Sequence, residues 1–337
     1  MRHPAILLSF EYLKKGNLKD LARTVLGHNV CDILIDSGAF SAHRLGHHIR
    51  ITSYIECCKE LLAHPEVWGC IQLDKIGDEE GSRRNLDRMV QSGVKPMPVL
   101  TTDAPLERLK EYVQINKRIC IAGGLGKFSG VEKWSYDRYR RAVKAHPDAE
   151  FHGLGYVRWP EMFETGLRTV DSSSHSAGER FGCLAYFDRS AQSVRKQGGV
   201  MNLRRHVLNA DEPWSKLDPT LRWYLDGCGV TKMQWRDRQA MNVGPLSFAS
   251  FSMTAAHVAQ SMYAQKHGLT IFLASSNWNA WVRCTVCAKY QNDNGTFDYW
   301  RARERMDRLM RLQQSRRHAA ALNLMQEVNN DYADRRA

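Results

Sequence analysis

Short, almost unbroken apolar runs alternate with amphipathic stretches along the first half of the chain. The runs are AILLSF (5–10), DILID (32–36), GCIQLD (69–74), KPMPVL (95–100), RICIAGG (118–124), AEFHGLG (149–155) and RTVDSS (168–173). Segments such as TSYIECCKELLAH, SRRNLDRMVQSG and YDRYRRAVKAH lie between them. Runs this short, without polar alternation, suit strands buried on both faces, while the intervening segments carry apolar residues at helical spacing. The rhythm predicts a parallel sheet covered by helices. Seven strands are accounted for, and an eighth would complete a TIM-type (β/α)8 barrel. CLAYF (183–187) and LTIFLA (269–274) both qualify. The later one would turn 188–268 into a large insertion.

That segment departs from the rhythm. Trp214, Trp223 and Trp235 stand among many charges, which reads as a helical insertion packed over one end of the barrel. The stretch 299–337 is rich in arginine and alanine, with Met306, Leu309, Met310 and Gln313 at helical spacing. The expected organisation is a barrel domain over 1–298, carrying the insertion, followed by a basic helical tail over 299–337.

Composition narrows the class of protein. A chain of 337 residues, 43% hydrophobic and 25% charged, has an ordinary globular balance. No run approaches the roughly 18 apolar residues that span a bilayer, and the apolar stretch near the start is too short for a signal segment. A cytoplasmic protein without a membrane partner is expected. Nine scattered cysteines argue against a disulfide framework. The formal net charge of +12, with the pairs Arg83-Arg84, Arg140-Arg141, Arg204-Arg205 and Arg316-Arg317, points to a polyanionic partner, of which nucleic acid is the commonest. The plainer reading of these charges is a solvated basic surface.

In a parallel barrel the chemistry sits at the C-terminal ends of the strands. Three runs place an aspartate there: Asp36 in Asp36-Ser37-Gly38-Ala39-Phe40, Asp74 ahead of Lys75-Ile76-Gly77-Asp78, and Asp171 ahead of three serines. Each alone reads equally well as a helix N-cap. Three on one rim favour a site, because carboxylates are rarely buried without a partner. Two carboxylates beside one sugar suit glycosidic chemistry: one attacks the anomeric carbon and the other moves protons. Gly123, Gly124, Gly153 and Gly155 would let backbone approach a flat ligand, or else form tight turns. His152 could stack on a base or be a satisfied core histidine.

At these residues the chain resembles the tRNA-guanine transglycosylase superfamily. DSGAF at 36–40 is similar to the family's DSGG-aromatic segment, and GGL at 123–125 to its base-cradling GGL. HGLGYVRWPEMFETGLRTVD at 152–171 is similar to the stretch from MGVG to the catalytic aspartate. The likeness covers roughly residues 30–182 in the right order. LIDSGAF, LDKIGD and VDSSSHSAGERFG look most like the phage DpdA-like branch, which inserts 7-deazaguanine bases into DNA.

The resemblance implies Asp171 as the nucleophile at C1′ and Asp36 as the general acid/base. It implies Phe40 and His152 as a sandwich for the base, with Gly123, Gly124, Leu125 and Gly153 around its edge, and Asp74 near the position of a base-reading aspartate. It further implies DNA and a free 7-deazaguanine such as preQ0 as partners, with no cofactor required for the exchange. The family's QGG segment is replaced here by LTTDAP, and its zinc site is absent in the usual form. Only Cys284-Thr-Val-Cys287 remains, two ligands of the four that a structural zinc takes, with Cys228, His257 or His267 to complete it. The same chemistry on tRNA, a non-catalytic nucleic-acid-binding barrel subunit, and a hydrolase that releases the base are the alternatives.

Overall fold

The computed structural model describes residues 4–13, 32–123, 131–187, 203–207, 212–232, 235, 246–275, 278–292, 295–312 and 314–315. It is an α/β fold in which eight parallel strands, alternating with helices, form a strongly curled, TIM-barrel-like sheet. The strands in chain order are β1 (Ala5–Ser9), β2 (Ile33–Asp36), β3 (Val67–Cys70), β4 (Val99–Leu100), β5 (Arg118–Ala122), β6 (Glu150–Leu154), β7 (Thr169–Ser172), β8 (Cys183–Phe187), β9 (Leu203–Val207) and β10 (Thr270–Ser275). The sheet runs β3-β2-β1-β10-β7-β6-β5-β4, and a parallel bridge between Ile71 and Met97 links the chain just beyond β3 to the approach to β4.

The two apolar candidates for the eighth strand part company here. LTIFLA supplies β10, which fits between β7 and β1 with Phe272 opposite Asp171 and Ala5 opposite Phe272. CLAYF becomes β8 and pairs antiparallel with β9 outside the sheet. Departure from the βα rhythm therefore begins at Cys183. The excursion carries the helices Pro219–Gly227 and Phe248–Lys266, the second buried along most of its length by small residues, serines and threonines among them. Where it is described, the expected tail is a helix over 299–312 that buries Tyr299, Ala302 and Met306 and leaves Arg301, Glu304, Arg308 and Arg311 exposed.

Alternation along the strands sorts their side chains into two cores. Ile6, Leu8, Ile33, Ile35, Ile119, Ile121 and Val170 face the helices. Ala5, Leu7, Leu34, Ile71, Met97, Val99, Cys120 and Phe272 fill the interior of the curled sheet. Strands buried on both faces need apolar residues at every position, which is why the runs read as continuous. At the β3–β4 junction the backbone bonds Met97 N to Cys70 O and Gln72 N to Met97 O are extended by a polar side chain. Buried Gln72 accepts from the Val99 amide at 2.9 Å and donates to the Ser82 carbonyl at 2.7 Å. Replacing it with alanine would strand a buried N–H, at a cost of about 1–3 kcal/mol. Among the described residues no helix is long and apolar enough to cross a membrane.

Candidate active site

The pleat decides where the three aspartates point. Ile33 and Ile35 face the helices and Leu34 the interior, so Asp36, two residues after Leu34, also faces the interior, at the C-terminal end of β2. Val170 faces the helices, so Asp171 faces the interior from β7. β1 and β10 stand between these strands along the sheet. The two carboxylates therefore meet across the hollow of the sheet rather than along its wall. Asp74 follows β3 on the same rim.

None of the three caps a helix. The helix Ala39–Arg44 has Gly38 at its N-cap without a side-chain bond, and the helix Glu79–Gln91 is capped by Asp78, which accepts from the Gly81 amide at 2.7 Å. The N-cap reading, open for each aspartate in the sequence, thus belongs to Asp78.

Asp36 is held in a turn of its own making. Its Oδ2 accepts from the Gly38 amide at 2.9 Å. Gly38 has φ +76°, and a Cβ there would come within 2.4 Å of Glu11 Cβ and 2.7 Å of Ser9 Oγ. Only glycine fits this combination of left-handed backbone and close approach. Burial, then the charges of Asp171 and Asp74, push the Asp36 carboxyl up to about 7, against smaller opposing help from the Gly38 amide and the Ser9 hydroxyl. Burial also pushes Asp74 up to about 6. The same three carboxylates act on the Cys120 thiol in the interior, which desolvation holds well above its ordinary range. Among the described residues no lysine or arginine forms an ion pair with Asp36, Asp74 or Asp171.

Asp171 sits in a different environment. Its Oδ1 accepts from the Gly155 amide at 2.7 Å and lies 3.2 Å from His152 Nε2. Thr169 Oγ1 lies 2.8 Å from His152 Nδ1. With Asp171 ionised, the imidazole donates from Nε2 to the carboxylate and accepts the Thr169 hydroxyl proton at Nδ1, which fixes one tautomer. Both contacts fall on Oδ1; among the described residues none falls on Oδ2. Gly155 has φ +64°, a left-handed conformation that turns its amide toward the carboxylate.

This arrangement corrects several sequence-based expectations. His152 is fully buried, with both ring nitrogens engaged and Phe272 at 6.1 Å, so it offers no open face to a base. Its contact is with Asp171. Of the three serines after Asp171, Ser172 turns its Oγ to the Ser174 amide. A Cβ on Gly153 would meet Leu167 Cδ1 at 2.8 Å, and one on Gly123 would meet Tyr139 Oη at 2.9 Å, so both are kept small by packing within the protein. Phe40 is exposed at the rim, with the Arg44 guanidinium 5.9 Å from its ring. Gly124 and Leu125 lie outside the described residues.

Cys284 and Cys287 lie buried on the helix Trp278–Lys289, and burial pushes the Cys284 thiol up to about 12. Among the described residues no three His, Cys, Asp or Glu side chains are grouped to hold a metal, so Cys228, His257 and His267 do not complete a set with them. Reading the sequence alone missed the Gly155 amide, which donates to Asp171, and Thr169, which reaches that carboxylate through His152. The period-2 pattern of the strands could have flagged Thr169 as an inward-facing polar residue.

No family model matches this chain, and no curated protein matches it significantly.

Proposed function

We propose that this protein exchanges a guanine in DNA for a free 7-deazaguanine base such as preQ0, by double displacement through a glycosyl ester on Asp171. The observation that carries the reading is the contrast between two carboxylates facing one hollow. Asp171 is oriented by an amide and an imidazole through Oδ1, with none of the described residues on Oδ2. Asp36 is buried among like charges and pushed up to about 7, which suits a group that holds a proton at neutral pH. Pairs of carboxyl groups whose surroundings drive them apart in this way divide naturally into nucleophile and acid. The reading takes the sheet as a closed (β/α)8 barrel, which the Ile71–Met97 bridge supports.

The target deoxyguanosine swings out of the stack, because its anomeric carbon is inaccessible within a duplex. Asp171 Oδ2 attacks C1′, and the C1′–N9 bond breaks with its electron pair leaving on guanine. Asp36 gives its proton to the departing base. The incoming 7-deazaguanine returns a proton to Asp36 from N9 and attacks C1′, displacing the Asp171 carboxylate. Two inversions restore the β configuration. One N-glycosidic bond replaces another, so the exchange consumes neither redox equivalents nor ATP. DNA as the polymer follows the resemblance of LIDSGAF and VDSSSHSAGERFG to the DNA-modifying branch.

Release of labelled guanine from DNA, compared with labelled tRNA, tests the reading. Mass analysis of the nucleosides then identifies the inserted base. Faster exchange in tRNA would move the substrate to RNA. Base release without insertion would make the protein a hydrolase.

A further inference from the structure

The chain leaving Asp36 forms a short projection with an unusual surface. The helix Ala39–Arg44 is followed by exposed Leu45, Gly46 and His48, then half-buried Ile49 and exposed Arg50. From Ser37 to Ile55 there is no carboxylate, while Arg44, Arg50, His43, His47 and His48 all fall within it. Leu45 at its tip is 61% exposed, although a leucine gains from burial. The tip is also firmly built. Leu45 N donates to the Ser41 carbonyl, and His47 N donates to the Ala42 carbonyl. His47 Nε2 lies 2.7 Å from the carboxylate of fully buried Glu11, and Ile49 packs on the core. The helix is six residues long and so places Leu45 on the order of 10 Å from the Asp36 end of β2.

We infer that Leu45 is an apolar wedge that enters the base stack of a nucleic-acid duplex, with Arg44 and Arg50 on the flanking phosphates. The inference rests on the reading of Asp36 and Asp171 as a site acting on a base drawn from a nucleic acid. A nucleotide can leave a duplex more readily when a side chain occupies or pries open the step it leaves, and apolar wedges beside basic residues do this. A tethered tip keeps such a side chain from folding back onto the surface. The basic flanks match a polyanion, and the chain as a whole carries +12. A helix of six residues is too short for an interfacial membrane anchor.

The test uses the full chain and duplexes of mixed sequence carrying 2-aminopurine beside a guanine. Its fluorescence rises when the neighbouring step is unstacked. The wild-type protein should raise the signal about threefold or more, and Leu45→Ala should lose most of that rise at saturating protein. Arg44→Ala should reduce the slope of log affinity against log salt by about one. Because Leu45 is exposed, an unchanged melting temperature will show that Leu45→Ala folds. No duplex binding, binding without a rise, or a full rise with Leu45→Ala overturns the wedge. So does Leu45-dependent binding to phosphatidylserine vesicles in place of duplex. Base exchange is assayed on the same duplexes. A Leu45-dependent rise without exchange would retire the proposed chemistry and leave the wedge standing.

Discussion

The two ends of the sheet interior are built from the same inward positions of the pleat and carry opposite electrostatics. At the N-terminal end Arg118 opens β5 and Glu150 opens β6, and their side chains pair at 3.3 Å. The Arg118 guanidinium also lies 4.3 Å from the Trp68 ring, and Trp68 packs on Phe272 at 5.6 Å. At the C-terminal end Asp36, Asp74 and Asp171 share one rim, and among the described residues none of them pairs with an arginine or lysine. A charge-paired floor at one end thus stands opposite a carboxylate-rich mouth at the other, where burial and like charge oppose ionisation of Asp36.

That contrast is sharpest at Asp171. Asp171→Asn keeps the size and leaves the floor intact, so the protein should fold and bind DNA. It should lose exchange by about a thousandfold or more, as removal of a covalent nucleophile does. Quenching the wild-type protein on guanine-containing DNA should give a covalent adduct that maps to Asp171 by peptide analysis. An adduct on another residue, or near-normal exchange by the variant, would break the division of roles.

Asp36→Asn should cost about 10²–10⁴-fold in exchange, the usual contribution of a general acid. In the wild type, kcat/KM should fall as pH rises through about 7, where Asp36 gives up its proton, and this limb should vanish in the variant. Stability should fall over the same pH range. A carboxyl raised from an ordinary 3.8 to about 7 favours the folded state fully below the lower value, and that favour is lost as pH rises through about 7. Asp36→Asn should therefore stabilise the protein by about 1–3 kcal/mol at pH 8 and by less at pH 5. Denaturant midpoints at the two pH values check this. Equal effects at both would mean that the aspartates do not strain the rim.

His152 links the mouth to the interior, and its loss should have an intermediate effect. His152→Gln keeps a donor near Asp171 but cannot span to Thr169 as the ring does. Exchange should fall about 10–100-fold, as when a group that orients a reactive one is altered. Thr169→Val should reproduce a smaller part of this loss through the same ring. A loss in Thr169→Val that exceeds that of His152→Gln would contradict the chain of hydrogen bonds.

The floor should respond least. Glu150→Gln removes a half-exposed ion pair, worth at most about 1 kcal/mol. Exchange should stay within about twofold, read from steady-state rates at saturating DNA. A loss of exchange comparable to that of His152→Gln would mean that the two ends are not independent.

Much of this contrast is written locally in the chain. The seven apolar runs announce their strands because a strand buried on both faces has to be apolar throughout. A run that ends in aspartate announces an inward carboxylate at the rim, which is how Asp36 and Asp171 can be found by reading alone. Other features are settled by residues far apart in the chain. CLAYF and LTIFLA have the same apolar character, and only the vacancy between β7 and β1, with the Phe272–Asp171 register, selects the second.

His152 is equally plausible as a stacking surface or a buried histidine until Phe272 from β10 and Thr169 from β7 enclose it. Cys284 and Cys287 have metal-like spacing, but packing buries them on a helix without further ligands among the described residues. The shift of Asp36 depends first on its burial and then on Asp171, 135 residues later in the chain (171 − 36). By itself the sequence determined the strands and their inward carboxylates, because backbone periodicity acts over a few residues. Tertiary structure alone decided which strand fills the gap, which groups hold Asp171 and how far Asp36 is driven from its ordinary state, because burial and electrostatic coupling act between elements that only folding brings together.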